Sequence, residues 1–532
     1  MTPTWQPAPV AARRRSLWIA LVATLVGMAL IAATVVVVLV RPWQDVARIG
    51  LGHRADRPSY EIDARIDPRT GNVRGELTVR VPADVGGDKL RFRVVPNAEG
   101  YDADFRLGRV TVGGEKTRPR LDKALLVVAR GSSGGTTVTM SFRYQVMEGE
   151  TSPLASLGLL PSDRPMVAGL LARYDTGISL GHWYPFLIAD GAAATPELAE
   201  VGDVGSAPAA DVRASIIVPK GFQVISGGET KDRTAEGNSV VVDERASGIR
   251  ELSLVVSDRL ERTTREEGGV EVNVWAPRDA STHATEVAAM TARGLGVFEE
   301  NLGGYPWPSL DVVQAPMPPG VGGMEWQGMF WVGSEIFRGT MPGVPEQFAE
   351  VLGENAGLED VREFTVVHEL AHQWWQGMVG VDQATHEVVD EPLAQYTTCL
   401  YFAKVRPTDW KTVCDRNVSM NYRYMRTMGE DDAAADRPTS AFGSDKQYAG
   451  VVYGKAPNFY RALEKEVDRL AVVAGLHRLV QERSGELATP DDVVTALQRE
   501  VPTEKRAEVR ALWRHWMAEQ HGDTDVGTKL LP

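Results

Sequence analysis

Residues 360–375 read DVREFTVVHELAHQWW, and the positions His368-Glu369-Leu370-Ala371-His372 inside that run decide how the rest is read. The run predicts a helix. Residues four apart on a helix stack on one face, so the two imidazoles converge on a single cation. Neutral imidazoles in that arrangement suit zinc. Glu369 lies next to the first histidine and reaches a metal-bound water without ligating the metal. Histidine is scarce, 9 in 532 residues, so this spacing is seldom met by chance. Val366, Val367, Leu370, Ala371 and Trp374 make the helix a buried one, where two unliganded histidines are costly.

A catalytic zinc takes three protein ligands and leaves one position open. Two downstream residues are candidates for the third, His386 and Glu391. A further histidine six residues after His372 is absent, because Met378 stands there. Glu391 follows His372 after 18 intervening residues and opens the next predicted helix, EPLAQYTTCLYFAKV. A turn and an antiparallel helix bring it back across the first helix. His386 lies in the connection, where its position is less determined. Pro392 is compatible with a helix start, and Asp390 is a candidate to orient a ligand or to cap that helix.

Outward from this centre, the chain divides into unlike parts. Segments such as ELTVRV (76–81), LRFRVV (90–95), TTVTMSFRYQV (136–146), ASIIV (214–218) and ELSLVVS (251–257) alternate or run apolar between Gly, Pro, Asn and Asp. Residues 46–262 therefore predict sheets packed face to face. This half has few histidines, His53 and His182, and no dense polar cluster, so it reads as scaffold. From 263 the pattern is mixed. VEVNVWAP and SLDVVQAP are strands, and HATEVAAMTARGLGVFEENLG is a helix with Ser281 and Thr282 as candidate caps. From Leu358 to the end the pattern is mainly helical. The fold class is multidomain α+β.

Ser16 to Val40 is a run of 25 residues without a charge, preceded by Arg13, Arg14 and Arg15. A bilayer core takes about 20 apolar residues, and a signal-peptide core only about 7–15. The expectation is one uncleaved transmembrane helix over 16–40. Its basic tail, 1–15, stays in the cytoplasm and the rest lies outside the cytoplasmic membrane. The net charge of −14 disfavours a nucleic-acid partner. Cys399 and Cys414 are too few for a cysteine-based zinc module. They form a disulfide in the exported domain, or else Cys399 is a buried thiol on the Glu391 helix. Glu430-Asp431-Asp432 reads as a solvated loop.

The motif H-E-L-A-H, 18 residues, then Glu391 resembles the gluzincin aminopeptidases, the aminopeptidase N family. Gly322-Gly323-Met324-Glu325-Trp326 is similar to the family's G-x-M-E-N motif, and Tyr453-Gly454-Lys455-Ala456 to its Y-x-K-G-A segment. YEIDARIDPRTGNVRGELTVRV (60–81) and IIVPKGFQVISGG (216–228) look like the family's saddle-shaped β domain, and the resemblance spans about 50–525. It implies a β-saddle domain followed by a thermolysin-like, mainly helical catalytic domain over 263–532. It implies one Zn²⁺ on His368, His372 and Glu391, with Glu369 as general base and Tyr453 as donor to the oxyanion. Gly322, Gly323, Met324 and Glu325 would bind substrate, with Glu325 gripping the free α-amino group. Trp326 replaces the family's asparagine, and Asp390-Glu391-Pro392 replaces Asn-Glu-Gly. The chain ends about 140 residues after Glu391, too soon for the large helical domain of longer members, so a more open cleft is expected.

The implied activity is removal of N-terminal residues from peptides. Two other readings stand beside it: a zinc endopeptidase that processes proteins, and a non-catalytic binding protein on a peptidase scaffold. The retained ligands and Glu369 weigh against the last.

Overall fold

The computed structural model describes residues 51–530 except 52–53, 102, 132–133, 150–168, 190–193, 205–206, 319–320 and 341–356. The apolar run 16–40 and its basic tail lie outside the described residues. Among the described residues no helix is long and apolar enough to cross a membrane. From Arg48 onward the chain forms one compact unit.

The first half is β, as its alternation predicts. An eight-stranded sheet runs in the order Glu229–Glu236, Ser239–Ile249, Ala210–Pro219, Ser59–Asp67, Asn72–Val81, Thr136–Gln145, Arg106–Val112 and Glu115–Lys116. Neighbours are antiparallel, except that Ser59–Asp67 lies parallel to Ala210–Pro219. Period-two alternation decides the faces. Tyr60, Ile62, Ala64 and Ile66 point into the core while Asp63 and Arg65 face water. Two four-stranded sheets complete this half. One contains Leu171–Tyr174 and Gly177–Leu180, the other Lys89–Arg93 and Leu125–Ala129. Trp183 and Tyr184 are fully buried among them.

The strand Leu260–Glu267 pairs with Val270–Pro277 and so belongs to the next sheet. The change between the two halves therefore falls between Ser257 and Leu260, slightly before the expected 262. This five-stranded sheet continues through Ser309–Ala315 and Met329–Gly333 to an edge strand, Gly323–Trp326. The helix Ser281–Leu302 fills the crossover between its parallel strands Val270–Pro277 and Ser309–Ala315. Ser281 and Thr282 do not cap it. A tight turn, Arg278–Ala280, runs straight into the helix, so both are already inside it and Ala280 holds the cap position without a side-chain bond.

That helix crosses the helix Leu358–Ala371 closely. A Cβ on Gly294 would stand 2.6 Å from a Leu370 methyl, so glycine is what permits the approach. The helix Glu391–Val405 packs on the other side and is buried along almost its whole length. Cys399 on it forms a disulfide with Cys414, with Cα atoms 5.8 Å apart. Both cysteines are buried. Closing a loop of 15 residues removes denatured-state entropy worth about 3 kcal/mol. Replacing Cys399 by Ser should lower the unfolding free energy by about that much in non-reducing denaturant titration.

Candidate metal centre

The helix Leu358–Ala371 ends at His372, whose backbone is still helical (φ −64°, ψ −12°), so the i, i+4 stacking survives to the last turn. His368 Nε2 lies 3.3 Å from His372 Nε2. Glu391, the first residue of its helix, places Oε2 3.2 Å from His368 Nε2 and 3.5 Å from His372 Nε2. Bonds of about 2.0–2.1 Å to a tetrahedral zinc put ligand atoms about 3.3–3.4 Å apart. The three atoms thus form one face of such a tetrahedron. Glu391 Oε2 is also buried with no hydrogen-bond partner among the described residues, as a metal-facing oxygen is. The donor set, two imidazoles and one carboxylate with an open fourth side, fits Zn²⁺. His368 keeps the most access, with 11% of its side chain exposed.

The partners of these ligands are equally specific. Asp390 Oδ1 accepts from His372 Nδ1 at 2.7 Å, which fixes Nε2 as the ligating nitrogen. Asp390 makes no capping bond, so of its two expected roles the structure selects the orienting one. Tyr453 donates its hydroxyl to Glu391 Oε1 at 2.6 Å. It stands in a widened helical turn, Ala449–Lys455, of the kind that often marks functional positions. Glu369 faces the strand Gly323–Trp326, where a Cβ on Gly323 would lie 2.5 Å from its carboxyl. Burial first, and then the charge of Glu391, push Glu369 up to about 8. A divalent cation beside it acts in the opposite sense. His386 is half-exposed and pairs with Asp436 at 3.0 Å, so it takes no part in the centre.

Residues 288–516 match the model of the Peptidase family M1 domain. The matched stretch contains His368, Glu369, His372, Glu391 and Tyr453, so the candidate metal centre lies inside it. The chain is 23% identical over 298 residues to Aminopeptidase M1 of Arabidopsis thaliana, an alignment covering 54% of this chain and 32% of that protein. The chain therefore spans about a third of the length of that relative. In fold it is similar to the M1 zinc metallopeptidase from Deinococcus radiodurans, with TM-score 0.55 and 18% identity over 91% of this chain and 96% of that one. A mutant of the same Deinococcus protein aligns with TM-score 0.54 and 16% identity, over 87% and 94% of the two chains.

Behind the three candidate metal ligands lies a pocket of carboxylates. Glu325 is buried, and one of its oxygens is within 4.8 Å of ligand atoms on His372 and Asp390. Gln383 Nε2 bridges the group, 2.8 Å from Asp390 Oδ2, 3.2 Å from Asp203 Oδ2 and 3.4 Å from Glu325 Oε1. Glu387 is fully buried with both oxygens lacking a hydrogen-bond partner among the described residues. Burial together with the neighbouring negative charges pushes Asp203 up to about 7 and raises Glu325 and Glu387 well above the ordinary range.

Asp203 corrects the reading of the first half as scaffold without a polar cluster. Together with His182, whose Nδ1 sits 2.6 Å from Glu251, it lines the pocket beside Glu325. Neither residue belongs to a motif, and their grouping exists only once the two halves meet. Gly323, Met324 and Glu325 lie on the edge strand rather than in a turn, with Gly322 just before it. Trp326 is buried against the first half. Its ring meets His182 edge-on at 4.9 Å and occupies the space a Cβ on Gly181 would need. Its carbonyl still accepts from Gln373 Nε2 at 2.8 Å, so the strand keeps its place on the active-site helix.

Removing the carboxylate behind a ligating histidine typically weakens metal binding 10–100-fold. Asp390→Asn should therefore lose zinc to a competing chelator at about 10–100-fold lower chelator strength than wild type, read by metal analysis.

Proposed function

We propose that this chain is a zinc-dependent aminopeptidase acting on peptides outside the cytoplasmic membrane. The observation that carries the reading is the carboxylate pocket of buried Glu325 and half-buried Asp203 lying beside the His368–His372–Glu391 triangle. A peptide's N-terminal ammonium supplies the charge such a pocket lacks, through charge-assisted hydrogen bonds. Fixing the first residue there sets the next peptide bond beside the metal.

His368, His372 and Glu391 would hold a Zn²⁺, which when bound would supply Lewis-acid polarisation of the scissile carbonyl and a water activated near neutral pH. Glu369 takes the proton of the attacking water and returns it to the leaving amine. Tyr453 donates its hydroxyl where negative charge develops on the carbonyl oxygen. The edge strand Gly323–Trp326 offers an unpaired side along which an extended peptide is held by main-chain bonds. Gly323 leaves room for Glu369 next to that peptide.

The Cys399–Cys414 disulfide and the Arg13–Arg15 cluster before the apolar run 16–40 support the extracytoplasmic placement. Protease added to intact cells should digest the catalytic domain if that placement holds. Resistance until lysis would place it inside.

Glu369→Gln should cut turnover by about 10²–10⁴-fold while zinc content stays at one equivalent in the catalytic site. Zinc bound with turnover unchanged would sink the mechanism. Tyr453→Phe should lower kcat about 10²–10³-fold, as loss of an oxyanion donor does. N-acetylation of a peptide substrate should abolish cleavage, and Glu325→Gln should raise KM for the free-amine peptide. Efficient internal cleavage of the acetylated peptide would favour the endopeptidase reading instead.

A further inference from the structure

Away from the catalytic centre, His515, Glu519 and His521 bring one ligand atom each within 4.8 Å of one another. We propose that they form a second, peripheral site for a transition-metal dication. His515 belongs to the helical turn Arg514–Ala518, and Glu519 and His521 lie in the loop that follows. His521 Nε2 is 2.9 Å from Glu519 Oε2, and His515 Nδ1 is 3.8 Å from the same oxygen. The two imidazoles stack face to face, with centroids 4.3 Å apart and planes 5° from parallel.

The support behind His515 is what separates this group from a chance surface cluster. Its other nitrogen, Nε2, lies 2.7 Å from Asp525 Oδ2. That bond fixes the proton on Nε2 and leaves the Nδ1 lone pair directed at Glu519, the carboxylate–histidine arrangement that accompanies metal-bound histidine. Two imidazoles and one carboxylate suit Zn²⁺, Cu²⁺ or Ni²⁺ over the harder Mg²⁺ and Ca²⁺. The side chains are 37%, 44% and 46% exposed, so the group is open to solvent, which supplies the remaining ligands.

The site is also joined to the catalytic half. The Glu519 carbonyl accepts from Lys455 Nζ at 3.1 Å, and the Gly522 amide donates to Asp432 Oδ2 at 2.9 Å. Lys455 is two residues beyond Tyr453 in the same turn. An ion on His515, Glu519 and His521 therefore clamps the loop that anchors Tyr453's turn.

The test is metal counting on the full purified chain equilibrated with micromolar free zinc. Wild type should hold two equivalents. His521→Ala and Glu519→Gln should each hold one, and His368→Ala should also hold one. In His368→Ala, added zinc should raise the thermal midpoint, and the additional His521→Ala change should remove that rise. One equivalent in wild type, or a second equivalent that persists in both His521→Ala and Glu519→Gln, overturns the proposal.

Discussion

Burying negative charge is the constraint on which this structure depends. Asp203, Glu325, Glu369, Glu387, Asp390 and Glu391 gather around His368 and His372, and burial with the neighbouring negative charges raises Asp203, Glu325, Glu369 and Glu387. Glu391 is the exception. The two histidines hold it well below the ordinary carboxylate range, against its burial. Arg250 lies nearby but spends its guanidinium on the carbonyls of Gln376, Ala207 and Glu486. Among the described residues the site is thus short of positive charge, which a dication on His368, His372 and Glu391 supplies.

Holding that cluster together requires backbone elements at unusually close range. Gly294 lets the helix Ser281–Leu302 reach Leu370, which seats the histidine helix against the sheet. Gly323 lets the edge strand lie on Glu369. The first half closes the rear, where Gly181 accommodates Trp326 and the Gln327 side chain accepts from the amides of Arg250 and Glu251. The tryptophan that departs from the family asparagine is therefore absorbed by the interface between the halves, through a glycine in the β part. The strand's register is set by main-chain pairing with Met329–Gly333.

Much of the centre was legible in the sequence because its information is local. His368, Glu369 and His372 follow from helical spacing, and the Glu391 helix from its apolar pattern. The β half was legible through period two, and the absence of a Ser281 cap was not, because a preceding turn already supplied the helix start. Asp203, Gln383 and Glu387 were not legible. They acquire meaning only when a loop of the first half, the connection after His372 and the edge strand meet. The disulfide stood undecided for the same reason: the spacing of Cys399 and Cys414 allows a bridge, but only the packing of two consecutive helices brings their Cα atoms to 5.8 Å.

Asp432 shows how a reading from composition fails. In Glu430-Asp431-Asp432 it looks like one of three solvated acids, yet its side chain is 9% exposed and pairs with Lys455 at 2.8 Å. Burial pulls the Lys455 ammonium below its ordinary value, and Asp432 opposes that. The ammonium also donates to the carbonyls of Ala433 and Glu519. A buried ammonium with these partners is tolerable, and with one removed it is expensive. Lys455 thereby ties three separate segments, including Tyr453's own turn, to one point. Tyr453, whose hydroxyl donates to Glu391, stands in the turn that this ammonium anchors, so the segments at Asp432 and Glu519 brace the backbone that carries it.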